Sequence, residues 1–441
     1  MNPNNPNQTM LNDFDPYDVY FNDQERYLQS YMAYEQYVSL YEEAEGSGSG
    51  EKRTRTYIPR EREDAEQRLL DDYFGNAEKA PKYTEENFRR RYRMSSRLFN
   101  RILNDILTYD VQPIPEYFSF FHQRYDCTGR KSIGAVLKCT SAVRQLAYGN
   151  SPDAFDEYLQ IGERCARQCL EYFTKCIHVL YYEKYLRRPN SDDIENIYAL
   201  HEEKHKLPGM LGSIDCMHWD WKNCPKALQA QFKRRDHKYP TLMLEAVADQ
   251  RLWIWHAYFG VPGANNDLNV LYGSPLFDDE LAGLAPECPF EVNGHTYNKG
   301  YYLADGIYPT WSVFVKTFSV ARSEKVLNFK RVQESARKDI ERAFGVLQGR
   351  WGIIRQPARA FQINTLKLIM YCCIMLHNMI LEDEGFEVNL RDTFVDPRPN
   401  MPDSWIERCD LHVRKNKELR DRVVHDALRQ DLVDHLWNLH N

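Results

Sequence analysis

Three acidic residues of this chain stand where local rules disfavour an acid. Asp215 lies inside the apolar run LGSIDCMH (residues 211–218), between Ile214 and Met217. That run reads as a buried strand, where an uncompensated charge is costly. Asp305 closes the run YYLADG, at the C-terminal end of a predicted strand, where ligands of open α/β sheets gather. Glu341 falls on a helix predicted over 335–348, whose apolar stripe is Ala336, Ile340, Phe344 and Leu347. One step round from Ile340, it shares a ridge with Arg337 and Gly345, so it can flank the core and face the sheet. Acids that converge on one point repel, and a divalent cation relieves the repulsion. Mg²⁺ suits oxygen ligands and keeps positions for water and phosphate. Two such ions, about 3.5–4 Å apart, can clamp the attacking and leaving oxygens of a phosphodiester. Singly, two of the acids have a plainer reading, Asp305-Gly306 a turn and Glu341 a solvated helix charge beside Arg337 and Arg342, while Asp215 is harder to explain structurally. The ordered set carries the inference.

Positive charge brackets these acids. Residues 222–238 hold six Lys/Arg (Lys222, Lys226, Lys233, Arg234, Arg235, Lys238) against one Asp, and residues 312–360 hold eleven against four Asp/Glu, including Arg337, Lys338 and Arg342. Such stretches are expected where a polyanion is held against a metal site. Trp219, Trp221 and Trp351 are interleaved with them; they could stack on unpaired bases or simply fill the core.

The elements that must position these residues divide the chain. Residues 61–205 carry helical periodicity, including TEENFRRRYRMSSRLFNRILNDIL with Thr84 as N-cap and Phe88, Tyr92, Leu98, Ile102 and Ile106 as its apolar positions. Further on, the pattern reads as helix, turn at Gly149-Asn150, short helix, turn at Gly162, longer helix. This is compatible with a helix-turn-helix offering Arg164, Arg167 and Gln168 to DNA, and equally with a helical hairpin that merely packs. Residues 206–390 change to strand-like runs, two of them (TLMLEAVAD and RLWIWHAYFG) joined by a hairpin-sized connection at Asp249-Gln250-Arg251, with helices between and after. The fold class is therefore α/β, a mixed sheet flanked by helices with an N-terminal all-helical domain. The apolar run ending in LIMYCCIMLHNMIL is predicted to be a buried core helix, too short and too interrupted to span a bilayer. Residues 391–441 read as a Pro-rich linker and an amphipathic helix with Leu419, Val423, Leu428, Leu432, Leu436 and Leu439 at helical spacing. That helix either docks on the core or a second copy, or is displayed as a leucine-rich export-type signal.

Of the 441 residues 43% are hydrophobic, ordinary for a globular protein, and the net charge is −7. That charge misleads: residues 1–50 hold nine Asp/Glu against one Arg, leaving the rest near neutrality. Residues 1–60 form an acidic, tyrosine-rich stretch expected to be disordered, a Gly-Ser linker, and a basic cluster from Lys52 to Arg60 that suits a nuclear address. Eleven scattered cysteines without a C-x-x-C pair argue against a disulfide framework or zinc ribbon. The N-terminus has no secretory pattern, and a cytosolic or nuclear location is expected.

The stretches LGSIDCMHWDWKNCP, YPTLMLEAVADQRLWIWHAYFGVPGANNDLNVL, YYLADGIYPTW, ARKDIERAFGVLQGRWGIIRQPAR and the helix ending in MLHNMI resemble the catalytic region of PIF/Harbinger-type transposases, particularly the Pong-like plant transposon proteins. The resemblance runs from about Leu211 to Glu382 and extends more loosely over residues 85–200. It implies an RNase H-like fold and a DDE triad falling here on Asp215, Asp305 and Glu341, which would hold two Mg²⁺ ions, with Mn²⁺ as a substitute. The implied activity is cut-and-paste transposition: hydrolysis at terminal inverted repeats, then attack of the freed 3′-hydroxyl on A/T-rich target DNA. A Myb-like DNA-binding protein from the same element is the implied partner. The reaction itself implies at least a dimer, working in the nucleus and away from membranes. Two other readings stay open, an RNase H-like nuclease without strand transfer and a non-catalytic DNA-binding protein.

Overall fold

The computed structural model describes residues 58–76, 78–282, 285–320, 322–385 and 421–439. The N-terminal acidic tail, the 391–420 linker, Leu419 and Cys409 therefore lie outside the described residues. From Arg60 onward the chain is one compact unit.

Its N-terminal part is helical: α1 (Arg62–Tyr73), α2 (Glu85–Tyr92), α3 (Ser96–Leu107), α4 (Ala135–Tyr148), α5 (Glu163–Tyr185) and α6 (Ser191–His205). Thr84 caps α2, as its position predicts. The single helix expected over 84–107 is broken, because Arg93 adopts φ +63° and Ser95 starts α3 by accepting from Leu98 N. The apolar positions Phe88, Tyr92, Leu98, Ile102 and Ile106 are all buried, so the break reorients the stripe without losing it. The run 135–185 folds as helix, short helical turns over 152–159, and long helix. Helix α4 is the hub of this region, buried without interruption from Leu137 to Ala147.

A five-stranded sheet follows, built from β1 (Met210–Asp220), β2 (Thr241–Ala248), β3 (Ile254–Pro262), β6 (Tyr301–Leu303) and β7 (Phe314–Val315), in the order β3-β2-β1-β6-β7. Strand β2 is antiparallel to both β1 and β3; β6 runs parallel to β1, and β7 parallel to β6. A separate hairpin, β4 (Phe290–Val292) and β5 (His295–Tyr297), turns on Asn293-Gly294, both at positive φ. Strand β2 is buried at every residue, as expected for a sheet covered on both faces.

Helix α7 (Asp267–Gly273) follows β3; α8 (Glu324–Arg350) crosses the sheet; α9 (Ile363–Asp383) packs on α5 and β3; α10 (Arg422–Asn438) packs on α8. Helix α9 is the one described helix long and apolar enough to cross a membrane, yet Leu366, Met370, Cys373, Ile374 and Met379 are buried in the core. The expected core helix is what forms. Leu428, Leu432 and Leu436 of α10 are buried against Leu207, Met210, Leu303 and Phe329. These leucines dock inward, which overturns the export-signal alternative for that face; Val423 and Leu439 remain exposed. One hydrophobic cluster runs from Tyr73 and Phe88 through α4, α5 and α9 to Trp219, Leu244 and Phe259, so the helical region and the sheet share a core.

Candidate active site

Strand β1 carries Asp215 at its midpoint because Ile214, Met217 and Trp219 anchor the strand on both sides of it. Its carboxylate is about a fifth exposed and accepts from Cys216 N. Asp305 stands two residues beyond β6, in a turn where its Oδ1 accepts from Ile307 N at 2.9 Å. The preceding residue is fixed from α8: buried Gln333 donates to the carbonyls of Ala304 and Val315, both at 3.3 Å. Helix α8 is itself pinned to β1, since Ser213 Oγ donates to Ala336 O at 3.0 Å. Ala336, Ile340, Phe344 and Leu347 are buried as the stripe predicts, and this turns Arg337 and Glu341 toward the strand. The Arg337 guanidinium reaches Glu341 Oε1 at 2.9 Å and Asp215 Oδ2 at 3.6 Å, a cationic bridge between two of the three acids.

The Asp215 carboxyl is pushed up to about 6, by burial first and also by the charges of Asp267 and Asp305, against the opposing effects of the Cys216 N–H and Arg337. Asp267 is an acid that the sequence reading passed over. It opens α7 behind the Asn266 cap, where a first-turn acid looks like an ordinary response to the helix dipole. Its own carboxyl is pushed up by burial and then by Asp305. Asp215, Asp267 and Asp305 therefore share one electrostatic neighbourhood, with Glu341 joined to it through Arg337. Repelling carboxylates on oxygen-only side chains fit a hard divalent cation such as Mg²⁺.

The basic residues fall in two groups. Lys222, Lys226, Lys233, Arg235 and Lys238 in the β1–β2 connection, Lys338 on α8, and Arg164 and Arg167 on α5 are exposed. Arg167 pairs with Glu163 on the same helix, and Arg234 pairs with Asp236 and approaches His218. Arg337 and Arg342 are engaged inward, Arg342 with buried Asp339. The tryptophans do not stack on bases: Trp219, Trp221 and Trp351 are buried, and the first two donate their indole N–H groups to Gln356 O and Ala360 O at 2.8 Å. Their strand and loop sequence context gave no sign of which way they faced.

The ten described cysteines are free. Comparison with known proteins supplies independent information. The chain is 26% identical over 244 residues to the Arabidopsis thaliana protein named Antagonist of Like Heterochromatin Protein 1, an alignment covering 55% of this chain and 61% of that one. It thus spans about three fifths of that relative's length. No solved structure matches the chain. Residues 66–107 match a domain family of unknown function. The sheet, the acids and helices α8 and α9 all lie within residues 183–388, which match the sequence model of the plant transposon protein family.

Proposed function

We propose that this chain is a Mg²⁺-dependent DNA transposase of the DDE type, related to the Pong-like PIF/Harbinger proteins. The observation that carries the reading is that Asp215 feels the charges of Asp267 and Asp305 while Arg337 joins it to Glu341 on the crossing helix. A sheet of three antiparallel strands continued by two parallel ones, in the order β3-β2-β1-β6-β7, supports an RNase H-like catalytic fold. The transposon-protein match over the same residues supports it further.

On this reading Asp215 and Asp305 hold the metal, Asp267 adds negative charge beside them, and Glu341 completes the set. When bound, Mg²⁺ supplies the positive charge that stabilises the phosphodiester transition state. Arg337, which spans Asp215 and Glu341, would be the cation placed to donate to a phosphate oxygen once those acids hold the metal. The basic β1–β2 connection holds the DNA backbone. Water attacks first at the element end; the released 3′-hydroxyl then attacks target DNA. A Myb-like partner supplies end recognition, two copies synapse the ends, and the reaction takes place in the nucleus.

A second reading is a DNA-binding protein without catalysis. The relative's name, an antagonist of a heterochromatin protein, describes opposition to another protein rather than chemistry, and Arg337 already balances Asp215 and Glu341 without metal. One assay separates the readings: labelled terminal-repeat DNA with a target plasmid, in Mg²⁺ or EDTA. Asp305→Ala is expected to lose cleavage and joining by at least about a hundredfold while binding DNA as the wild type does. Binding without metal-dependent cleavage in the wild type, partner present, establishes the second reading; cleavage without joining establishes a nuclease.

A further inference from the structure

Away from the acid cluster, helices α6 and α8 face each other across three metal-ligating side chains. His201 and His205 are one turn apart on α6, their rings stacked with centroids 5.8 Å apart. Asp339, fully buried, faces them from α8. His205 Nε2 and Asp339 Oδ2 lie 2.8 Å apart, and one donor atom from each of the three residues falls within 4.8 Å of the other two. His201 is itself fully buried, and neither of its ring nitrogens has a hydrogen-bond partner. Bare polar nitrogens in the interior are costly, and a ligated metal removes that loss at the coordinating atom. Burial also holds His201 and His205 below the usual histidine range, in the neutral form that ligates metals.

We propose that His201, His205 and Asp339 bind one zinc-class divalent ion, completed by a water, that staples α6 to α8. Two imidazole nitrogens and a carboxylate oxygen suit Zn²⁺ and disfavour Mg²⁺. Tetrahedral Zn²⁺ with bonds of about 2.0–2.1 Å sets its donors roughly 3.3 Å apart, so the His205–Asp339 pair opens by about half an ångström. Arg342 pairs with Asp339, and this balances the carboxylate when no ion is bound. Residues 201–205 read His-Glu-x-x-His, the spacing of hydrolytic zinc helices. Here Glu202 is exposed while His201 and Asp339 are buried, so the glutamate of that motif does not face the ion as a general base, and the ion's role is to hold α6 against α8. Asp339 precedes Glu341 by two residues, and the ion thereby fixes the part of α8 that carries Glu341.

The test uses the full chain, stripped with chelator, given ZnSO₄ and dialysed. Elemental analysis is expected to find about one zinc per chain in the wild type and in Asp305→Ala, and less than about a tenth in His201→Ala and Asp339→Ala. Loading the wild type with Co²⁺ instead needs no variant, and is expected to give the intense visible absorption of a four-coordinate site. Zinc in His201→Ala equal to the wild type overturns the proposal, as does a cobalt spectrum no stronger than that of the free aqua ion.

Discussion

Replacing Asp215 by Asn should stabilise the metal-free protein at neutral pH. The carboxyl is pushed from the ordinary 3.8 up to about 6, by burial before all else. Its folded-state value therefore exceeds its unfolded one, and the ionised form is what the fold disfavours. The penalty grows in as pH rises from about 4 to 6 and is complete at pH 7. At 1.36 kcal/mol per pH unit, a rise of about two units corresponds to roughly 3 kcal/mol, and partial exposure of the side chain brings this to about 2–3. Asn copies the protonated acid in shape and can still accept from Cys216 N. With an unfolding entropy of about 2.1 cal/mol/K per residue over the roughly 340 described residues, that predicts a Tm rise of about 3–4 °C. Thermal melts in EDTA at pH 7.5 and pH 4 measure it, with the gain largely absent at the lower pH. Magnesium at ten times its Kd should narrow the gap, since it adds about 1.4 kcal/mol to the wild type alone, and at a thousand times its Kd, about 4.1 kcal/mol, it should reverse the ranking. A variant no more stable than the wild type in EDTA at pH 7.5, or one gaining equally at both pH values, would refute the electrostatic account of this site.

Asp267→Asn should lower metal-dependent cleavage by about 10–100-fold and raise the Mg²⁺ concentration needed for half-maximal rate, both read from a metal titration of the cleavage assay. Changing Lys222, Lys226, Arg235 and Lys238 together to Ala should weaken DNA binding regardless of sequence and flatten the log–log salt dependence by about 3–4, measured by fluorescence anisotropy over a salt series. Leu432→Ala, at a fully buried position of α10, should cost about 2–5 kcal/mol of stability, seen in denaturant unfolding.

Where one periodicity dominated, the elements were legible in the sequence. Helix α9 runs from Ile363 to Asp383 as its apolar run indicates, and β1 encloses Asp215 because an uninterrupted apolar run leaves a strand few alternatives. Helix α8 begins at Glu324, well before the predicted 335, because its first turns mix charges with few buried positions, Phe329 and Gln333 among them. The site was legible only in part. Asp215, Asp305 and Glu341 each violate a local expectation, and a violation can be seen from the neighbours alone. Asp267 violates none, and His201 meets Asp339 across more than 130 residues, where no local pattern connects them. Local sequence was equally silent on the break at Arg93, which depends on the core Phe88 and Phe99 share.

Helix α8 is moored at both ends by segments remote in the chain. Near its start, α10 packs against Phe329 and is tied through Asp431 to His295 and Tyr297. Just past its end, the backbones at Gly352 and Gly149 approach so closely that a Cβ on Gly149 would strike Gly352 and one on Gly352 would strike Ala147 and Tyr148, and Arg350 reaches His377 and Glu384. A fragment trimmed to the family-matched region, 183–388, would lose α4 and α10 and bare the apolar faces they cover. Shuffling between relatives is best done with all three elements exchanged as one cassette.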